Sequence, residues 1–453
     1  MKYLSTRGQT PPFSFTDAVA AGLAPDGGLF LPASLPDLSG HAEAWEDLDY
    51  PALVAAFFAK FAPEISPEAW RTLANEACQK FAHPEVAPLV RLDRGLWVLE
   101  LFHGPTLAFK DFALQLLGLL FQRQVEQTGK RLVVLGATSG DTGSAAIHGC
   151  LGQKGIAMFI LYPDGRVAPL QERQMAATGA DNVFAIPIAG NFDDAQRLVK
   201  QVFADREFAD EVNLSAVNSI NIARVLAQCV YYVWAWLRLP VAAGSQVEFV
   251  VPTGNFGNVL AGWLARRMGL LPSSCTFRVA TNQNDILHRF FTTGEYRPGE
   301  VIPSCAPSMD IQAASNFERF LYFLLGENPE RLRVAMDALR TGSALRVEVP
   351  QSVLRSSRMD DAHIVETIRR VWCDHGYVVD PHTACGFSDL AADKTSIILA
   401  TASPAKFPEV VTAATGTEPT HPVLEALKSQ PLQRYPLSAE AAALKHFIRA
   451  HLP

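Results

Sequence analysis

Beyond residue 95 the chain alternates between two periods. Short apolar runs at 96–101, 131–136, 156–162, 182–188, 246–251, 277–280 and 396–401 have the length of buried strands, and longer stretches spaced as amphipathic helices separate them. Strand and helix in turn predict an α/β chain whose sheets are open, mostly parallel and covered by helices on both faces. Residues 1–95 read differently: they are rich in proline, carry helix patterns at 50–61 and 67–81, and show little strand signal. They predict a mainly helical N-terminal lobe. The strand–helix units across 132–213 predict a small mobile α/β lobe, which leaves 96–131 and 214–453 for a large one. Stretches at 294–307 and 416–422 predict loops.

Composition narrows the class. The 453 residues are 49% hydrophobic and 19% charged, ordinary material for a globular chain with two or three lobes. A net charge of −7, from 39 basic and 46 acidic side chains, argues against nucleic acid or an anionic membrane as partner, so an anionic substrate must be held by local groups. The longest apolar run, near 229–237, falls well short of the roughly 20 residues that span a bilayer, and the N-terminus has no apolar signal core. The expected compartment is the cytoplasm. Seven cysteines stand far apart without Cys-x-x-Cys spacing and eleven histidines are scattered, so no metal site is expected.

Three segments carry chemistry. In Leu101–Phe112 a single lysine, Lys110, lies in an apolar setting. Burial lowers the pKa of such an amine and yields the free base that condensation with an aldehyde requires, which makes Lys110 a candidate Schiff-base nucleophile. Residues 246–267 read as a strand, a turn and a helix, the turn being Thr253-Gly254-Asn255-Phe256-Gly257-Asn258. Gly254 and Gly257 let the backbone approach a ligand, and the N–H groups at the helix start form a cup for an anion such as phosphate. The turn has neither the Gly-Lys-Ser/Thr ending of a nucleoside-triphosphate loop nor the Gly-x-Gly-x-x-Gly order of a dinucleotide fingerprint. Residues 131–146 repeat the plan with a small polar loop, where the Thr138, Ser139 and Thr142 hydroxyls and the turn's N–H groups suit a small carboxylate. Asp141-Thr142-Gly143-Ser144 also matches the aspartic peptidase motif, but that chemistry needs a second Asp-Thr/Ser-Gly and the chain has none.

Lysine, phosphate cup and carboxylate loop resemble the fold-type II pyridoxal-phosphate enzymes, the tryptophan synthase β-like fold, and within them the threonine synthases with an extended N-terminal region. The resemblance rests on Tyr3-x-Ser5-Thr6-Arg7-Gly8, Asp26-Gly27-Gly28-Leu29-Phe30, Phe102–Asp111, Thr138–Gly143, Asn218-Ser219-Ile220-Asn221-x-x-Arg224, Pro252–Asn258, Pro307–Ile311 and Leu399–Phe407, and it covers nearly the whole chain. It implies pyridoxal 5'-phosphate as cofactor, in the large lobe, and conversion of O-phospho-L-homoserine and water to L-threonine and phosphate. The alternative is another amino-acid lyase or phospholyase on the same fold.

The resemblance also implies roles. Lys110 would hold the cofactor and shuttle protons, Gly254, Asn255, Phe256, Gly257 and Asn258 would grip its phosphate, and Thr401 would place a hydroxyl at its pyridine nitrogen. Where the wider pattern has Ser-Gly-Asn this chain has Ser139-Gly140-Asp141, and an aspartate there would repel the cofactor's phenolic oxygen unless a proton is shared. For the substrate phosphate, Asn221, Arg224 and Gln228 recur at helical spacing, with Arg224 the natural bidentate ligand. Ser308, Asp310, Ser315, Asn316 and Arg319 form a second polar group, and Lys406 is a third candidate cation. His103 and His382 fall inside motif segments, as structural hydrogen bonders or as site walls. The oligomeric state is not legible.

Overall fold

A computed structural model describes residues 1–138, 140–242, 244–349, 354–391 and 394–452. In the N-terminal lobe, β1 (Tyr3–Ser5) pairs antiparallel with β2 (Phe30–Pro32). Helices Tyr50–Phe58 and Pro67–Cys78 follow caps at Asp49 and Ser66, each with proline in the first turn, where its missing N–H is of no consequence. Trp70 stacks on Phe58 at 4.8 Å, while Tyr50 packs edge-on against Phe112 and Trp234 of the large lobe. The lobe therefore shares its hydrophobic core with the rest of the chain.

Six strands make the large sheet: β3 (Leu89–Asp93), β4 (Leu96–Glu100), β9 (Val247–Pro252), β10 (Cys275–Thr281), β13 (Leu354–Arg358) and β14 (Thr395–Ala400), in the order β13-β10-β9-β14-β4-β3. All neighbours are parallel except β3 with β4. The central strands are buried on both faces, which is why they read as unbroken apolar runs. A second sheet holds β5 (Leu132–Ala137), β6 (Ile156–Pro163), β7 (Val183–Ile188) and β8 (Leu214–Ala216), all parallel, in the order β7-β6-β5-β8. A short pair, β11 (Glu295–Tyr296) with β12 (Leu345–Arg346), lies apart. Among the described residues no helix is long and apolar enough to cross a membrane.

Two differences from the sequence expectation have physical reasons. The edge strand β13 is Leu-Arg-Ser-Ser-Arg, with no apolar run; Arg355 instead pairs at 3.1 Å with the buried Glu248 of β9, which also holds Arg278 of β10. The C-terminal residues, expected in the large lobe, pack on the small sheet. Tyr435 N–H donates to the Ala185 carbonyl at 3.0 Å, and helix Ala441–Ala450 sets Phe447 edge-on against Phe159 and Phe184. They cover apolar strand faces of β6 and β7 that water would otherwise meet.

Helix Lys110–Thr128 and helix Asp141–Cys150 cross at Gly118 and Gly149. A Cβ on either glycine would run into the other helix's backbone, so the two axes lie unusually close. Both helices begin at the site described next.

Candidate active site

Loops at the carboxyl ends of adjacent parallel strands β4, β14 and β9 meet, the place where open α/β sheets bind ligands. The loop after β4 zips onto the loop after β14: Phe109 N–H donates to the Thr401 carbonyl at 2.8 Å, and Ser403 N–H to the Leu107 carbonyl at 3.0 Å. This fixes Lys110 as the first residue of its helix, with its side chain 12% exposed. Thr401 is buried beside it, its backbone N–H held by the Thr383 hydroxyl. That hydroxyl in turn donates to Asp380.

From the small lobe, Asp141 reaches across to the large one. Its Oδ2 accepts from Lys110 Nζ at 3.1 Å and from the Ser308 hydroxyl at 2.9 Å, while Oδ1 accepts from Gln171 Nε2 at 2.9 Å and pairs with Lys406 Nζ at 2.7 Å. Burial by itself would raise the Asp141 carboxyl, but the two ammonium groups hold it well below the usual carboxylate range. Burial pulls the Lys110 amine down, against the attraction of Asp141, and the Lys406 and Arg224 charges push it further the same way. Burial of this kind favours the uncharged form of an amine, against the pull of the carboxylate.

The anion cup after β9 takes its shape from an unexpected residue. Gly254 and Gly257 were expected to let the backbone approach a ligand; the positive φ of the cup, 64°, belongs to neither of them but to Phe256, the residue before helix Gly257–Arg267. Packing against Phe291, Phe317 and Phe320 holds it there. The glycines serve close approach instead: a Cβ on Gly254 would lie 2.9 Å from Ile311 Cδ1 and 3.0 Å from the Ser308 carbonyl, and one on Gly257 3.0 Å from Asn316 Nδ2. Asn255 ties the cup to the neighbouring turn through Ser315 and Asn316. Asn258 Oδ1 accepts from Tyr231 and Tyr232, while its buried Nδ2 has no partner among the described residues. Free N–H groups at a helix start, an orphaned amide, a low-pKa amine and a hydroxyl at Thr401 fit pyridoxal phosphate.

The predicted phosphate ligands separate. Arg224 is buried, its Nε and one terminal nitrogen have no partner among the described residues, and burial lowers its guanidinium to about 10. A cation in that condition calls for an anion. Asn221 instead caps helix Ile222–Arg238, accepting from Ala223 N–H and donating to the Val19 carbonyl, so both ends of its amide are spent on backbone. Gln228 donates to the Arg224 carbonyl at 2.6 Å. Arg319 is consumed likewise by the Phe30 and Ile220 carbonyls and by Asn316, and Asp310 by Asn282, Asn284 and Ser304.

In the carboxylate loop the Thr138 hydroxyl accepts from the N–H groups of Gly140 and Gly143 at 3.0 and 2.8 Å, and so shapes the turn. Thr142 stands half-buried on the first turn of the following helix. Ser139 lies outside the described residues. His382 accepts from Ser308 N–H at 3.1 Å and donates to Asp380 at 2.7 Å, which puts it against the site, whereas His103 pairs with Glu100 at the end of β4.

Comparison with known proteins agrees with this geometry. A model of pyridoxal-phosphate dependent enzymes matches residues 81–397, and models of the threonine synthase N terminus and C-terminal region match 2–78 and 383–448. The chain is 44% identical to threonine synthase of Pseudomonas aeruginosa, over 100% of this chain and 98% of that one. It belongs to the threonine synthase family. Threonine synthase of Schizosaccharomyces pombe is 43% identical over 91% of this chain and 89% of its own. The crystal structure of pyridoxal-phosphate-bound threonine synthase from Brucella melitensis superposes with a TM-score of 0.94 at 42% identity, covering 100% of this chain and 99% of that one. The family is therefore fold-type II, with pyridoxal phosphate as its cofactor.

Sequence reasoning left several site residues without roles. Ser308 and Lys406 stood among the phosphate candidates, and the structure puts both on Asp141. Gln171 and Asp380 carried no signal, because a lone polar residue in a helical stretch looks the same whether it meets water or a buried carboxylate.

Proposed function

We propose that this chain converts O-phospho-L-homoserine and water to L-threonine and phosphate, with Lys110 as the amine that carries the cofactor and moves protons. The observation that carries the reading is Arg224, a buried guanidinium with no counter-ion among the described residues, close enough to Lys110 to lower its basicity. Lys110 and Lys406 both meet the Asp141 carboxylate, and Arg224 lies near Lys110 with no carboxylate of its own among the described residues. That surplus of positive charge suits a phosphate-bearing substrate.

Gly254, Asn255, Phe256, Gly257 and Asn258 would hold the cofactor phosphate, and Thr401 its ring nitrogen. When bound, pyridoxal phosphate supplies the electron sink that acidifies the substrate's Cα and then Cβ protons. Lys110, as a free amine, would take the proton from Cα, hand it on to the bound cofactor and, as a free amine again, take one from Cβ as phosphate leaves from Cγ. Arg224 neutralises the departing phosphate. Thr138, Ser139, Asp141 and Thr142 belong to the loop that would take the substrate carboxylate, the N–H groups not already held by the Thr138 hydroxyl providing the grip and that hydroxyl keeping the turn in shape. Asn221 supports Arg224 from the helix cap. Lys110 would return one proton to Cγ, making the methyl group; water would then add its oxygen at Cβ, its released proton ending on the departed phosphate, and Lys110 would return the other proton to Cα. Closing of the small lobe through Asp141 would keep bulk water out until phosphate has gone. A cytoplasmic compartment suits seven cysteines that the structure leaves unpaired.

Purified protein incubated with O-phosphohomoserine should release phosphate and L-threonine in equal amounts. Phosphate accompanied by a 2-oxo acid and ammonia, with no threonine, would instead point to a phospholyase on the same fold.

A further inference from the structure

We propose that Lys406 is a positioning residue for the reaction: it takes the Asp141 carboxylate as its own counter-ion and thereby leaves Lys110 to act as the free amine. The proposal deepens the reading of Lys110 given above and rests on it. Its ground is the way one carboxylate is divided between two amines. Lys406 Nζ has two acceptors, Asp141 Oδ1 at 2.7 Å and the Thr106 carbonyl at 2.8 Å, and its side chain is 1% exposed. Lys110 Nζ has one, Asp141 Oδ2 at 3.1 Å. The ion pair of Asp141 with Lys406 is the shorter and the more deeply buried of the two. Where burial disfavours two ammonium groups side by side, Lys110 is the one released from its charge.

The other charged groups nearby do not upset this division. Asp111, on the Lys110 helix, is engaged by the N–H and hydroxyl of Thr106 and by Gln115, and burial raises its carboxyl. His148, on the Asp141 helix, is lowered by burial to about 4 and is neutral near pH 7. His382 faces Asp141 from the far side, with its own carboxylate in Asp380. Arg224 adds only repulsion at Lys110.

The pair also gives a physical reason for aspartate at 141, where the wider fold-type II pattern has asparagine. Asp141 together with Lys406 carries no net charge, as an asparagine carries none. Lys406 supplies the proton that an aspartate needs to share if it is to stand beside a phenolic oxygen.

The test is a double-mutant cycle in the holoenzyme, read by the pH midpoint of the bound cofactor's visible absorbance, which follows the proton on the Lys110 nitrogen. Lys406→Met should raise that midpoint by about one to two pH units, because Asp141 then turns its whole charge on Lys110. In the Asp141→Asn background the same change should move it by less than half as much. An unmoved midpoint in Lys406→Met, or equal shifts in the two backgrounds, overturns the proposal, the second outcome because Lys406 would then act by repulsion alone. Should Lys406→Met fail to fold, Lys406→Arg decides: the midpoint stays in place if a cation on Asp141 is what matters, and a shift of a full unit overturns the idea. Borohydride fixing the cofactor to a different lysine would sink the reading of Lys110 itself, a result distinct from any of these.

Discussion

Replacing Arg224 should do opposite things to binding and to stability, and the structure sets both magnitudes. Two of its guanidinium nitrogens are buried without partners among the described residues. If they bind the substrate phosphate, each charge-assisted bond contributes about 1.5 to 3 kcal/mol, and Arg224→Lys, which keeps the charge and loses the planar fork, gives up about one of them. KM for O-phosphohomoserine should then rise roughly 10- to 150-fold. Affinity for L-threonine, which has no phosphate, should hardly change, and the cofactor's absorbance should not change at all. Without substrate the same guanidinium is a burden. Its fall from 12.5 to about 10 corresponds to about 3 kcal/mol of lost hydration, an upper bound once the site relaxes. Arg224→Met should accordingly stabilise the cofactor-loaded enzyme by about 1 to 3 kcal/mol in denaturant unfolding while abolishing phosphate recognition. Equal weakening of both ligands by Arg224→Lys, or a clear loss of stability in Arg224→Met, would make Arg224 a structural support and refute the reasoning.

Other perturbations separate neighbouring roles. Gly254→Ala should push on Ile311 and the Ser308 carbonyl, at 2.9 and 3.0 Å, and cost about 1 to 3 kcal/mol of cofactor affinity, seen as cofactor lost on dialysis; full retention would place the phosphate elsewhere. Asn221→Ala should cost about 1 to 2 kcal/mol of stability as a lost helix cap and leave KM for substrate within about twofold, whereas a large rise in KM would make Asn221 a ligand. Asp141, held well below the usual range, contributes stability that is present above its unfolded pKa of about 3.9 and lost as pH falls through the folded value. The advantage of wild type over Asp141→Asn in unfolding experiments should thus be full above about pH 5 and shrink below pH 4; a gap that does not vary with pH would contradict an ionised Asp141.

What was legible in the sequence is what local chemistry determines. β5 and β9 were visible because strands buried on both faces are unbroken apolar runs, and the glycines after them marked loops able to approach a ligand. β13 was invisible because its place is secured by Arg355 against Glu248, a long-range pairing, and β8 because three residues carry no pattern. The tail at 434–452 was placed in the large lobe because nothing in its own residues shows which sheet its helix covers. Among the polar candidates, Asn221, Arg224 and Arg319 look alike in sequence. Only the fold reveals that two of them spend their hydrogen bonds on backbone carbonyls and one is left with none for its buried nitrogens. Phe256 hid its role for a different reason: packing of three phenylalanines around it overrides the preference for glycine at positive φ.

On the proposed reading the reacting amine is Lys110, lowered by burial and facing Asp141 across the two lobes. Borohydride reduction of the yellow, cofactor-loaded protein followed by peptide mapping tests it most directly. The account predicts the reduced cofactor adduct on Lys110 alone, and a Lys110→Ala protein that binds cofactor without forming that adduct and without turnover. An adduct on Lys406 or any other lysine would contradict it.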